Sequence, residues 1–261
     1  MKKFLPISFA LILIVSIFGA CSKREEAGST NKNNNKVLVM GTSADYKPFE
    51  YVDAKKSEDI IGFDIDVMNY ITKELGYKVK VKDMDFGGLL ASLEAGKVDF
   101  VMAGMTPTAD RKKNADFTDI YFTSKNVIIS KEGSNIKTLQ DLQGKKVGVQ
   151  TGSIQEEKAK DLQKQVSFQF EGRDRVPELI QEIQAGRFDA IILEDTVAKG
   201  YLEKNKDLKS VEIPEAADEA GSAIALPKNS DLTAEFNKVI KKMKENGEMD
   251  KLVKKWFGGE Q

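Results

Sequence analysis

One stretch of this chain occurs twice. Residues 89–106, LLASLEAGKVDFVMAGMT, align without gaps to residues 179–196, LIQEIQAGRFDAIILEDT. Each copy reads as an amphipathic helix, a glycine stop, a basic residue, an aspartate and an apolar strand. A second strand-and-helix element precedes each copy: KVLVMGTS leads through a loop to GFDIDVMNYITKELG, and KKVGVQTGS leads directly to SIQEEKAKDL. Phe63, Val67, Ile71 and Leu75 share one helical face. Ser153 and Glu156 have the Ser-x-x-Glu spacing of a capping box, which marks a helix start just after a strand. Strands alternating with helices predict open parallel α/β sheets, here two of them, with ligands beyond the carboxyl ends of the strands.

Chain order then sets the organisation. Residues 37–122 make a first unit and 127–219 a second, after which SAIALPKNS and a helical tail ending near Phe257 remain. That tail is too short for a third domain and is expected to pack back on the first unit. The expected lobes are therefore 37–122 with 223–261, and 127–219, joined by two crossings near 122–126 and 219–223. A two-strand connection permits hinge bending and a cleft that shuts on a ligand.

The first residues are read apart from the fold. MKKFLPISFALILIVSIFGAC has two lysines, an apolar run too short for a comfortable membrane span, and small residues before Cys21. This is the pattern of a secretory signal over residues 1–20. FGAC resembles the lipobox of bacterial lipoproteins, with Phe18 in place of the usual leucine, so Cys21 is the expected lipid carrier. The following polar, Asn-rich residues 21–36 are expected to form a disordered tether.

Composition removes whole classes of chemistry. The chain has no histidine, which excludes Ser-His-Asp and Cys-His catalysis and the commonest transition-metal ligand. A single cysteine excludes an intramolecular disulfide. Lys plus Arg number 40 against 41 Asp plus Glu, so there is no basic surplus to suggest a nucleic-acid partner. No Gly-rich phosphate loop with Lys-Ser/Thr is present, and no cofactor is expected.

The two repeated strands end differently. AGMTPTADR offers backbone N–H groups, Thr106 and Arg111, whereas LEDT offers Glu194 and Asp195. A guanidinium fork suits a carboxylate and an aspartate suits an ammonium, so the pair describes the two poles of a free amino acid. The helix start at Ser153 adds N–H donors for an anion. Asp195 equally fits a helix N-cap, and Arg111 a solvated surface charge. Tyr46 and Phe86 stand at the rim as candidate walls for a side chain or a planar guanidinium, while Phe49 reads as core. Asp64, in IGFDID, reads as a helix cap or as a partner for a distant positive charge.

Several blocks together, GTSADYKPFEY, GFDIDV, DFVMAGMTPTADRKKNADFTDIYF, TLQDLQGKKVGVQTGS, ILEDTVAKGY and MDKLVKKWF, resemble the polar amino-acid family of extracellular solute-binding proteins, the receptors of ABC importers. The resemblance spans about Val37 to Phe257 and implies a periplasmic-binding-protein-like fold of type II, two α/β lobes joined by two crossover strands. It implies that Arg111 binds the ligand carboxylate, aided by Thr106 and by Ser153 and Ile154 through backbone groups, with Gln155 beside them. Asp195 matches the acid that takes the α-ammonium, Ala103 and Gly104 the strand-end contacts, and Tyr46 and Phe86 the aromatic walls. Gram-positive arginine or basic amino-acid receptors are the nearest in pattern. Ser43, however, stands where several basic- and glutamine-binding relatives carry an aspartate, so Asp64, Glu50 or Asp45 would have to compensate. The implied function is capture of a free L-amino acid, arginine before lysine and histidine, with glutamine as competitor. The implied setting is a lipid-anchored monomer on the outer face of the cell membrane, delivering to a permease with a separate ATPase. A dehydratase acting through Glu194 and a receptor that signals without transport are the rival readings.

Overall fold

The computed structural model describes residues 36–53, 58–212, 214 and 219–258. The expected signal segment, Cys21 and the tether up to residue 35 lie outside them. In chain order the first part comprises β1 (Val37–Thr42), β2 (Asp45–Tyr46), β3 (Glu50–Val52), β4 (Ile60–Ile61), α1 (Phe63–Leu75), β5 (Lys78–Asp83), α2 (Leu89–Glu94), β6 (Phe100–Val101), α3 (Arg111–Asn114), β7 (Ala115–Phe117) and β8 (Phe122–Lys131). There follow β9 (Lys146–Gln150), α4 (Ile154–Leu162), β10 (Gln169–Arg173), α5 (Val176–Gln184), β11 (Ala190–Glu194), α6 (Asp195–Leu202) and β12 (Leu208–Val211). The last elements are β13 (Glu219–Ser222), β14 (Ala225–Pro227), α7 (Asp231–Glu245) and α8 (Glu248–Phe257).

The repeated segment folds the same way twice. α2 and α5 each run out just before a left-handed glycine, Gly96 at φ 66° and Gly186 at φ 73°. β6 and β11 then add in parallel beside β1 and β9. The aspartates of the repeat do one job. Asp99 donates its N–H to the Val39 carbonyl and accepts the Val39 N–H on its carboxylate, both at 2.7 Å. Asp189 makes the same exchange with Lys146, at 2.8 and 2.9 Å. An aspartate in this place satisfies a backbone donor of the neighbouring strand and fixes where the buried strand enters the sheet.

The fold is α/β and two-lobed, with one main sheet in each lobe. Their strand orders are β5-β1-β6-β14-β7 and β10-β9-β11-β8-β12. Strand–helix alternation predicts parallel sheets, but neither sheet is purely parallel. β14 runs antiparallel to β6 and β7, and β8 antiparallel to β11 and β12. Both strands lie on the segments that pass between lobes, and they arrive without the crossover helix that parallel pairing needs. Phe122–Lys125 of β8 pair with β13, while the rest of β8 belongs to the second sheet.

The tail closes on the first lobe. α8 packs on α1 and α7, and its last ring, Phe257, stacks on Phe122 at 4.2 Å and meets Phe63 edge-on at 5.0 Å. Phe49 is fully buried in the same aromatic cluster. Aromatic burial of this kind dominates core energetics, and each offset or edge-on pair adds about 1 kcal/mol beyond area. A small antiparallel sheet, β2-β3-β4, stands beside it and carries Tyr46.

Candidate ligand-binding site

A narrow cavity of about 10 Å³, with the cleft drawn shut around it, lies where β6, β9 and β11 end, lined from both lobes. From the first lobe come Tyr46, Phe86, Ala103, Gly104, Thr106 and Arg111. From the second come Gln150, Ser153, Ile154, Gln155 and Glu194. Parallel strands put their carboxyl ends on one side of each sheet, so the two lobes present facing rims and the ligand space falls between them.

Arg111 is the principal charge in that space. Its guanidinium donates to the Thr106 carbonyl at 2.8 Å and, across the cleft, to the Gly152 carbonyl at 2.9 Å. It lies over the Phe86 ring at 5.4 Å. Only 9% of the residue is exposed, and no carboxylate among the described residues forms an ion pair with it. Burial pulls its pKa below the ordinary value, with Glu157 and Glu194 acting in the opposite sense. A buried guanidinium with neutral partners and no counter-ion is a ready acceptor for an anion.

The start of α4 stands opposite. Ser153 is its N-cap: the hydroxyl accepts the Glu156 N–H at 3.2 Å and donates to the Gln150 carbonyl at 2.7 Å. Glu156 returns not to Ser153 but to the Gly152 N–H, at 2.7 Å. The first two helical residues, Ile154 and Gln155, line the cavity, where a helix N-terminus favours negative charge. The Gln155 side chain is tied to Asn126 in β8 at 2.8 Å.

Three carboxyls are buried behind and beside the cavity. Glu194, 2% exposed, accepts the Ser124 hydroxyl at 2.6 Å. Burial raises its pKa to about 7. Asp64 accepts the Gly104 N–H at 3.0 Å and the Tyr121 hydroxyl at 2.8 Å, and burial raises it to about 6. Glu50 is fully buried; burial first and Asp64 second push its pKa well above the usual range. No donor among the described residues reaches either Glu50 oxygen, and a protonated Glu50 can itself donate to Asp64.

Three expected site residues take other places. Asp64 neither caps α1, whose N-cap position is Gly62, nor lines the cavity; it holds the Gly104 strand end from behind. Ser43 is buried outside the cavity and donates to Asp45 at 2.7 Å. Asp195 opens α6, and its Oδ1 accepts the Thr196 N–H at 2.7 Å and the Lys125 N–H at 3.3 Å. It does not line the cavity, whereas its neighbour Glu194 does. The motif LEDT already offers Glu194 at this strand end, whereas Gln150 has only its place at the end of β9 to mark it in the sequence.

The sequence model of the bacterial extracellular solute-binding proteins, family 3, matches residues 38–259. The chain is 49% identical over 261 residues to the arginine-binding extracellular protein ArtP of Bacillus subtilis strain 168, with 100% of each chain covered. An ancestral arginine-binding protein bound to arginine is 39% identical with a TM-score of 0.80, covering 86% of this chain and 100% of the other. An ancestral arginine-binding protein bound to glutamine is 41% identical with a TM-score of 0.79, covering 85% of this chain and 98% of the other.

Proposed function

Since this chain belongs to the bacterial extracellular solute-binding proteins, family 3, we propose that it captures a free L-amino acid, arginine before lysine and histidine, and hands it to a membrane permease. The observation that carries the proposal is Arg111, a buried guanidinium without a carboxylate partner in a cavity that both lobes line. The α-carboxylate goes to Arg111, Thr106 and the start of α4. The α-ammonium goes to the acids at the β11–α6 junction: Asp195, which the resemblance assigns, and Glu194, which lines the cavity. The side chain lies between Tyr46 and Phe86, whose faces attract a planar cation.

Crossings at 122–126 and 219–223 serve as the hinge in this reading, and closure buries the ligand between the lobes. Cys21 carries lipid and anchors a monomer to the outer face of the membrane. The permease is driven by an ATPase on another chain. The similarity to ArtP of Bacillus subtilis and to the arginine-bound ancestral protein supports arginine.

Glutamine is the second reading, and one observation favours it. Ser43 is neutral, and the acids beside it are engaged by Arg175 rather than left for a cationic ligand. Calorimetric titration of ligand-stripped protein against all twenty amino acids tests both readings. Arginine is expected to bind most tightly; saturation by glutamine with no heat from arginine would replace the first reading with the second.

A further inference from the structure

Arg175 stands at the N-cap of α5, in the second lobe, and reaches into the first. Its Nε donates to Asp85 at 2.8 Å and its Nη1 to Asp83 at 2.8 Å, with Asp45 at 3.7 Å. The next residue joins in: the Val176 N–H donates to Asp45 Oδ2 at 2.6 Å. Asp45 has an 8% exposed side chain, and its remaining oxygen takes the Ser43 hydroxyl. None of these residues lines the ligand cavity. Yet Asp45 and Asp85 immediately precede Tyr46 and Phe86, the two rings that do.

We propose that Arg175 and the Val176 N–H form a cross-lobe latch on Asp45, Asp83 and Asp85 that sets how long a bound ligand stays, without touching it. The proposal rests on the cleft being the ligand site. Every contact in the latch joins one lobe to the other, so it exists only when the cleft is shut and adds stability to that state alone. An isolated exposed ion pair contributes little. Here one guanidinium meets three carboxylates, and a buried aspartate accepts a backbone N–H from the opposite lobe, which makes the cluster cooperative. Opening must break it before the ligand leaves, whereas capture by the open form precedes it. The latch therefore acts on dissociation, the rate that most affinity changes among related complexes pass through. Through Asp45 and Asp85 it also holds both aromatic walls in place, which makes Arg175 a positioning residue.

Stopped-flow kinetics with L-arginine and with L-glutamine, and hydrogen exchange on ligand-free full-length protein, together test this. Arg175→Met is expected to raise the dissociation rate about tenfold, leaving association within about twofold. Asp83→Asn with Asp85→Asn is expected to do the same, and adding Arg175→Met to that pair little more, since all act in one cluster. Ligand-free protein passes between open and shut clefts, and Arg175→Met lowers the shut population, so the 174–178 segment of the ligand-free variant is expected to exchange faster than in the unaltered chain. An unchanged dissociation rate with unchanged exchange overturns the latch. So does a loss confined to cationic ligands, which would make Arg175 part of the side-chain pocket. If the unaltered protein binds no amino acid, the ligand reading fails, while exchange in the 174–178 segment still decides the latch.

Discussion

The Arg111 guanidinium donates to the Gly152 carbonyl at 2.9 Å, bridging the two lobes from the floor of the cavity they share. One side chain thus both faces the ligand space and holds the lobes together. Arg111→Ala is expected to abolish measurable binding of every amino acid, a loss of about a hundredfold or more, because it removes a charge-assisted contact in a buried site. Arg111→Lys keeps the charge but not the fork, and is expected to retain weak binding, down about tenfold. Calorimetry reads both; a Lys variant equal to the unaltered protein would reduce the guanidinium to a point charge.

The acid in the cavity wall predicts a proton linkage. Glu194 has a pKa near 7 when no ligand is present, raised by burial. An ammonium brought close favours its ionised form, so binding near neutral pH releases a proton. Affinity is expected to be higher at about pH 8 than at about pH 6, and Glu194→Gln to flatten that dependence. Asp195→Asn is expected to lower affinity at every pH, by about tenfold, as the loss of an ionic partner for the ammonium. Titration in buffers of different ionisation enthalpy counts the protons; no release near neutrality would remove Glu194 from the ammonium's surroundings.

Stability of the empty protein should fall as pH rises. The folded-state pKa values of Asp64 and Glu194 are raised by burial to about 6 and about 7, from 3.8 and 4.5, and Glu50 is raised in the same direction. The folded state therefore holds protons that the unfolded chain gives up. The favourable contribution is complete below about pH 4 and is lost as pH climbs through 6 and 7, on the order of 3 kcal/mol for each full shift. Tm is expected to drop between about pH 5 and pH 8, and Glu50→Gln, which imitates the protonated acid, to soften the drop. A Tm that is flat or rises over that interval would mean the three carboxyls are not buried together.

How much of this was legible in the sequence depends on the range of the signal. The repeat was, because helix period, glycine stop and aspartate are local features, and Asp99 and Asp189 repeat the same backbone exchange. The candidate residues at the strand ends were legible because parallel strands place their ends together. Asp64 reads in the sequence as a helix cap or as a partner for a distant positive charge, because its actual partners, Gly104 and Tyr121, lie 40 and 57 residues away. The grip of Arg175 on Asp83 and Asp85 spans about ninety residues and has no periodic trace at all. Antiparallel entry of β8 and β14 was missed for the same reason: which strand returns beside which is decided by the packing of lobes, not by alternation.

Closure itself is open to a steric test at Gly152. A Cβ built there would stand 2.9 Å from the Cα of Gly87 in the opposite lobe, backbone that cannot step aside. The residue also sits at φ 75°, where an alanine costs about 1 kcal/mol in either lobe position. Gly152→Ala should therefore leave each lobe folded but prevent the last approach between them, lowering ligand affinity far more than it lowers the Tm of the empty protein. Glu156 still caps the turn through the residue 152 N–H, so the start of α4 survives the change. Paired calorimetry and thermal unfolding separate the two effects: a drop in Tm without loss of affinity would show that the glycine serves the turn alone and that the lobes do not need this contact to shut.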